Sequence, residues 1–347
     1  MIRVEHIAKD LGEFFLKDVS LEVDDGEYFM ILGPTGAGKT ILLETIAGIY
    51  PPDKGRVYLN NHDITGWPPR KRNIGMVYQD YMLFPHLTVA QNIKYGLRSR
   101  NLAKQKGLKR VDELAHLLGI THLLHRHPGT LSGGEKQRIA IARALIMEPE
   151  VLLLDEPLSA LDSETRAKLR KELRRIHALT STTMIHVTHS FDEAFLLGSR
   201  MAIMNHGEIV QVGEPSEVFR KPNSTFAAEF LGVTNIFRGE SSVENGMASI
   251  DVNGLRVTSA DNREGQVYLS IRPEDILVSL KPFESSARNS FQGSVADISD
   301  AGIIVRITVD VGVPFVAAIT RHSFLDMGLK QGMDVFLTFK AIDVHIF

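Results

Sequence analysis

The octapeptide GPTGAGKT (33–40) follows the apolar run YFMIL (28–32) and leads into the apolar-periodic stretch TILLETIAGI (40–49). A glycine-rich loop between a buried strand and a helix constrains the chain path more than any other feature of this sequence. The loop fits G-x-x-x-x-G-K-[ST], a pattern whose backbone N–H groups cradle phosphate. Gly33, Gly36 and Gly38 are expected to take positive φ and turn their N–H groups toward the anion. The N-terminus of the following helix adds its dipole. Lys39 has the reach for β- and γ-phosphates, and the Thr40 hydroxyl suits Mg²⁺. The candidate nucleotide cradle is therefore Gly33, Pro34, Thr35, Gly36, Ala37, Gly38, Lys39 and Thr40.

A second stretch, VLLLDEP (151–157), supplies what such a loop lacks. A buried strand ends in Asp155, a carboxylate able to hold Mg²⁺. Glu156, next along, is the candidate general base that polarises an attacking water. TTMIHVTH (182–189) reads as a further central strand, and RMAIMNHGEIVQVG (200–213) as a hairpin with His206-Gly207 at its turn. Strands alternating with helices predict a mostly parallel α/β sheet covered by helices. Between about 88 and 145 the β pattern gives way to helical periodicity, which predicts an inserted helical subdomain. Beyond Asn235 short alternating strands recur, namely QVYLSI, GSVADI, GIIVRITVDV and DVFLTF, the pattern of a small all-β barrel. The expected organisation is a nucleotide-binding domain over 1–235 and a barrel over 236–347.

With 347 residues the chain is long enough for two domains. A net charge of −3 argues against nucleic acid as partner. The basic run RSRNLAKQKGLKR (98–110) has no interleaved aromatics and reads as a solvated helix face. Absence of cysteine excludes disulfides and thiolate metal sites and fits a reducing compartment. No run approaches the ~18 apolar residues that a spanning helix needs. The opening MIRVEHIAKDLGEF has no apolar signal-peptide core. Work at a membrane would need another chain to supply the span.

LSGGEKQR (131–138) places Ser132 and Glu135 at capping-box spacing, so a helix should start there with its first N–H groups free for an anion. A bare helix cap and an anion site fit this spacing equally well. Residues 1 to about 235 resemble the ATPase subunit of ATP-binding-cassette transporters, in which LSGGE is the signature. That resemblance implies ATP and Mg²⁺ as cofactors. It implies that Gln79, in VYQDYMLFPH, senses Mg²⁺ and faces a membrane subunit. It further implies that His189 contacts the γ-phosphate and that Asp162, in SALD, belongs to the loop between two copies. Two copies would close head to tail, with Ser132, Gly133 and Gly134 of one capping the phosphate held by Lys39 of the other. Family members stack an aromatic on adenine where this chain has Leu11, with Phe14 and Phe15 as nearby substitutes.

EPLSALD, FPHLTV and a C-terminal β-module together resemble the importer branch. The resemblance implies integral membrane permease subunits and an extracytoplasmic solute-binding protein as partners, and a peripheral place at the cytoplasmic face of the membrane. SIRPEDI (270–276) resembles the opening of the importers' C-terminal module. SARN followed by a glycine, with ITRHS (319–323), resembles the oxyanion-binding barrel of molybdate and tungstate proteins. A tetrahedral dianion accepts hydrogen bonds only, and Ser286, Arg288, Asn289, Thr320 and Ser323 are donors without competing carboxylates. The expectation is an oxyanion-import ATPase whose barrel binds molybdate or tungstate as a regulatory ligand that slows import. The alternatives are an import ATPase for sulfate, sugar or another solute, and a cassette ATPase outside transport.

Overall fold

The computed structural model describes residues 1–99, 104–244 and 246–347. Residues 100–103 of the basic run at 98–110 lie outside the described residues. The chain forms two compact units, Met1–Val218 and Phe219–Phe347. Asn235 is the first residue of the strand Asn235–Glu244 in the second.

In the first unit a six-stranded sheet runs in the order Glu208–Gly213, Arg200–Asn205, Tyr28–Leu32, Thr183–Thr188, Val151–Asp155, Ile74–Val77. Four of its five pairings are parallel, and the fifth is the antiparallel edge hairpin. YFMIL, VLLLD and TMIHVT are buried at every position, as strands covered on both faces must be. His206 and Gly207 take φ of 45° and 78° at the hairpin turn, the twist that a two-residue connection favours. The stretch from 88 to 145 holds the helices Val89–Lys94, Lys104–Leu117 and Gly133–Leu145, with short 3₁₀ turns at Thr121–Leu123 and Pro128–Thr130 between the last two.

A four-stranded antiparallel sheet, ordered Phe15–Val23, Ile2–Asp10, Lys54–Leu59, His62–Asp63, is the element that the periodicity did not announce. Its residues Ile2, Val4, Ile7, Val19 and Val57 share a core with Phe29, Ile31 and the phosphate-loop helix Lys39–Ala47.

The second unit is all-β apart from short helices. One sheet runs Leu255–Ser259, Met247–Val252, Asn235–Glu244, Gly265–Ile271, His345–Ile346. The other runs Leu277–Ser279, Asp334–Phe339, Asn289–Asp300, Ile304–Asp310, Pro314–Thr320. Both sheets contribute to one core, in which Ile250 and Leu269 lie with Ile307, Phe315 and Phe339. The buried Asn235 amide donates to the carbonyls of Ile271 and Val316 and accepts from Val316 N–H, tying strands of the two sheets together. Among the described residues no helix is long and apolar enough to cross a membrane.

Candidate functional site

Parallel pairing decides where the chemistry collects. Leu32 is level with Thr188, Asp155 with Val187, and Val77 with Leu154. The residues that follow, the phosphate loop, Glu156, His189 and Gln79, therefore emerge at the carboxyl ends of neighbouring strands, where ligands bind open α/β sheets.

The phosphate loop owes its glycines to two different causes. Gly36 and Gly38 take φ of 82° and 98°, as expected. Gly33 does not; a Cβ there would stand 2.2 Å from the backbone oxygen of Met204. At Gly33 the freedom of φ is not what is used: close approach to the neighbouring strand demands glycine. Gly38 also caps the helix Lys39–Ala47 without any side-chain hydrogen bond, so the first-turn N–H groups stay available to an anion. Lys39 is buried, and its ammonium donates to the carbonyls of Gly33 (2.8 Å) and Pro34 (2.9 Å). Burial pushes its pKa down, while the carboxylates of Glu156 and Asp155 act to raise it.

Thr40 Oγ1 lies 3.1 and 3.0 Å from the two carboxylate oxygens of Asp155. Burial, with Glu156 adding to it, raises the Asp155 pKa against the Thr40 bond and the Lys39 charge. Glu156 follows in a left-handed turn, φ 43°, with its N–H bonded to Val187 O at 3.0 Å. That turn aims its carboxylate at His189, whose Nδ1 lies 3.3 Å from Glu156 Oε2. The His189 side chain is 62% exposed, so its ring is open to a ligand. Gln79 is exposed in the turn after Ile74–Val77.

The capping box at the signature is present. Ser132 Oγ accepts from Glu135 N–H, and Glu135 Oε2 accepts from both the N–H and the hydroxyl of Ser132. These bonds hold the Glu135 carboxyl below its ordinary pKa. Gly134 is required by packing, since a Cβ there would meet Thr165 Cγ2 at 2.7 Å. Among the described residues no hydrogen bond or ion pair joins Ser132, Gly133 or Gly134 to Lys39, Thr40, Glu156 or His189 within one chain. Asp162 caps the helix Ser163–Thr180, accepting from Glu164 and Thr165 N–H, and the Thr165 N–H foremost lowers its pKa.

Sequence reasoning passed over Arg143. Its guanidinium donates to the carbonyls of Tyr81 and Met82, consecutive residues at φ 62° and 48° two positions beyond Gln79. No local pattern announces such a clamp. Near the loop, Leu11 and Phe14 are exposed, and Lys17 Nζ stands 4.5 Å over the Phe15 ring. Phe15, with Gly12 and Lys17, borders a shallow hollow of about 380 Å³ that Leu11 does not line.

In the second unit the five candidate oxyanion donors have separate local surroundings. Ser286 and Arg288 are exposed. The Asn289 amide is buried and bonded to the backbone of Thr258, donating one N–H to its carbonyl and accepting from its N–H. Thr320 caps the helix Arg321–Met327 through Ser323 N–H, and its hydroxyl lies 3.0 Å from that of Ser323. Among the described residues no hydrogen bond joins the 286–289 segment to Thr320 or Ser323.

The family description ABC transporter matches residues 16–159, and TOBE domain matches residues 285–346. The chain is 47% identical over 348 residues to the molybdate/tungstate import ATP-binding protein WtpC of Pyrococcus abyssi, covering 100% of both. Identity to the protein of that name from Pyrococcus horikoshii is 48%, again over 100% of both. The dimeric post-hydrolysis structure of the ATP-binding cassette MJ0796 with ADP and Pi superposes with TM-score 0.56 at 30% identity, covering 62% of this chain and 99% of that one. The phosphate loop, the acidic strand end and the signature helix thus stand in a chain that belongs to the ABC transporter family, as an ATP-hydrolysing import subunit.

Proposed function

We propose that the import driven by this ATPase is that of a tetrahedral oxyanion, molybdate or tungstate. The observation that carries this reading is the 47% identity to a molybdate/tungstate import protein along the full length of both chains, which includes the second unit as well as the first. Hydrolysis is assigned to the cluster at the sheet's carboxyl edge. The phosphate-loop N–H groups and Lys39 bind the triphosphate, Glu156 takes a proton from the attacking water, and His189 contacts the γ-phosphate.

Thr40 and Asp155 fit Mg²⁺, because a hydroxyl and a buried carboxylate already converge to within 3.1 Å and both are hard oxygen donors. Gln79 is the third candidate ligand. Bound there, the ion would neutralise phosphate charge. Phe15 is the candidate neighbour of the adenine ring, since it borders the hollow beside the loop.

Two copies close head to tail, Ser132, Gly133 and Gly134 of one meeting the nucleotide on the other, with Asp162 between them. Among the described residues no bond joins these glycines to Lys39 within one chain, an arrangement compatible with a site completed by a second copy. Permease subunits supply the membrane path, an extracytoplasmic binding protein delivers the cargo, and this chain sits at the cytoplasmic face. Exposed Ser286 and Arg288, with Thr320 and Ser323, are the candidate contacts for a regulatory oxyanion; Asn289 holds the fold around them.

Uptake of molybdate, tungstate and sulfate into ATP-loaded vesicles carrying the assembled transporter tests the cargo. Saturable uptake of the first two, with sulfate at least ~10-fold slower, is expected; equal sulfate uptake overturns the assignment. Inhibition of ATP turnover by added molybdate or tungstate tests the regulatory role, and a flat response in both titrations removes it.

A further inference from the structure

Directly beneath His189 lies a chain of buried polar groups with no part in the roles assigned above. Thr188 ends the strand Thr183–Thr188 and is 3% exposed; Glu193, in the helix Phe191–Leu197, is also 3% exposed. Thr188 Oγ1 accepts from Ser190 N–H at 3.1 Å and donates to Glu193 Oε2 at 2.6 Å. One hydroxyl thereby fastens the backbone on both sides of His189. It can accept from Ser190 and keep a fixed rotamer only while an acceptor on the far side takes its proton.

Behind Glu193 stands His186, wholly buried, whose Nε2 lies 3.6 Å from Glu193 Oε2 and makes no hydrogen bond. Its Nδ1 is 3.0 Å from the Tyr28 hydroxyl. Burial of a carboxylate is costly unless it is hydrogen-bonded and faced by positive charge. Arg166 and Arg170 of the helix Ser163–Thr180, and His189 itself, act on Glu193 in that sense. The His189 ring, by contrast, has one ion-pair contact among the described residues, to Glu156. Its placement rests on the backbone.

We propose that Glu193 is a positioning residue for His189, acting through the Thr188 hydroxyl to fix the turn that presents the imidazole to Glu156 and to the nucleotide. This rests on the reading of His189 as the γ-phosphate contact. An aliphatic residue of the same shape at 188 fills the space and loses both bonds. A serine keeps them.

The test compares Thr188→Val, Thr188→Ser, Glu193→Ala, Glu193→Gln and His189→Ala in the full-length chain. Thr188→Val and Glu193→Ala should lower kcat about tenfold while leaving KM for Mg-ATP within about twofold. Thr188→Ser should restore kcat, and Glu193→Gln, whose amide oxygen still accepts, should retain more activity than Glu193→Ala. The ring resonances of His189 should shift in Thr188→Val and return in Thr188→Ser, a readout that does not depend on turnover. Should Thr188→Val not fold, the two Glu193 variants carry the same comparison. An unchanged kcat and an unmoved His189 signal in Thr188→Val and Glu193→Ala overturn the proposal, as does failure of serine to rescue. If His189→Ala turns over normally, the role of His189 fails, and the ring signal still decides whether the brace exists.

Discussion

His189 Nδ1 and Glu156 Oε2 stand 3.3 Å apart at the carboxyl ends of adjacent parallel strands. The pair forms because Glu156 adopts φ 43°, a conformation that costs about 1–2 kcal/mol for a residue with a side chain. Without that turn the carboxylate following the buried Asp155 would point elsewhere. Such a conformation persists only where the surrounding structure over-determines it.

If Glu156 takes the proton from water, Glu156→Gln keeps the size and one hydrogen-bond acceptor but cannot take it. Turnover of ATP should fall by at least ~100-fold while nucleotide affinity stays within a few-fold. Phosphate release against ATP-binding isotherms checks both halves. A variant with normal turnover would remove Glu156 from the reaction.

Gly33 gives a test of close approach free of backbone-angle strain. Gly33→Ala sets a Cβ 2.2 Å from Met204 O, and overpacking of this kind costs about 1–3 kcal/mol. The obstructing atom belongs to the backbone, so shortening the Met204 side chain should bring no relief. Urea unfolding followed at Trp67, the one tryptophan, reports on this unit. Met204 is itself buried in the core, so Met204→Ala lowers the midpoint on its own, and adding Gly33→Ala should lower it further by as much as it does in the parent chain.

Arg143 offers a third test. Its two bonds hold the Tyr81–Met82 turn, and hydrogen bonds from a charged donor contribute about 1.5–3 kcal/mol. Arg143→Met should accelerate amide exchange over 80–84 by about tenfold or more, whereas the helix Gly133–Leu145 should stay protected. Lysine should rescue poorly, since an ammonium lacks the planar fork that reaches both carbonyls. Unchanged exchange in Arg143→Met would show that the turn holds itself.

These cases also separate what the sequence disclosed from what it hid. The phosphate loop, the buried strands around it and the Ser132–Glu135 box were legible because each is specified within a few residues. The strand Ile2–Asp10 was not. Its pairing with Phe15–Val23 shifts register between Val4 and Ile7 and again before Lys9, which breaks the alternation that marks a strand. Arg72 was equally silent: wholly buried, it donates to the carbonyls of Thr45 and Ile46 at the end of the phosphate-loop helix, partners more than twenty residues away in sequence. Asn289 shows the same limit from the other side. The SARN resemblance and its donor chemistry marked it for an anion, and Thr258, thirty-one residues upstream, occupies its amide oxygen and one of its N–H groups. Donor chemistry is local, whereas the partner that consumes it is tertiary.

His186 ties stability to pH with a definite sign. Burial pushes its pKa from the ordinary 6.5 down to about 3, so the folded chain keeps it neutral throughout the mildly acidic range. The unfolded chain binds a proton there below pH 6.5 and the folded chain does not, so stability falls as pH falls from 6.5 toward 3. The slope from this residue approaches about 1.4 kcal/mol per pH unit. Glu193, whose pKa burial raises, works in the opposite direction: its folded form keeps a proton above the ordinary value of 4.5, which weakens the fold as pH rises through that window. The two are separable because a substitution at 186 removes the histidine's contribution and leaves that of Glu193 in place. His186→Gln preserves an acceptor for the Tyr28 hydroxyl and removes the titration. Urea midpoints at Trp67 between pH 7.5 and 5 should therefore fall less steeply in His186→Gln than in the parent chain, by up to about 1.4 kcal/mol per unit. Parallel slopes would mean that the imidazole meets protons in the folded chain as readily as in the unfolded one.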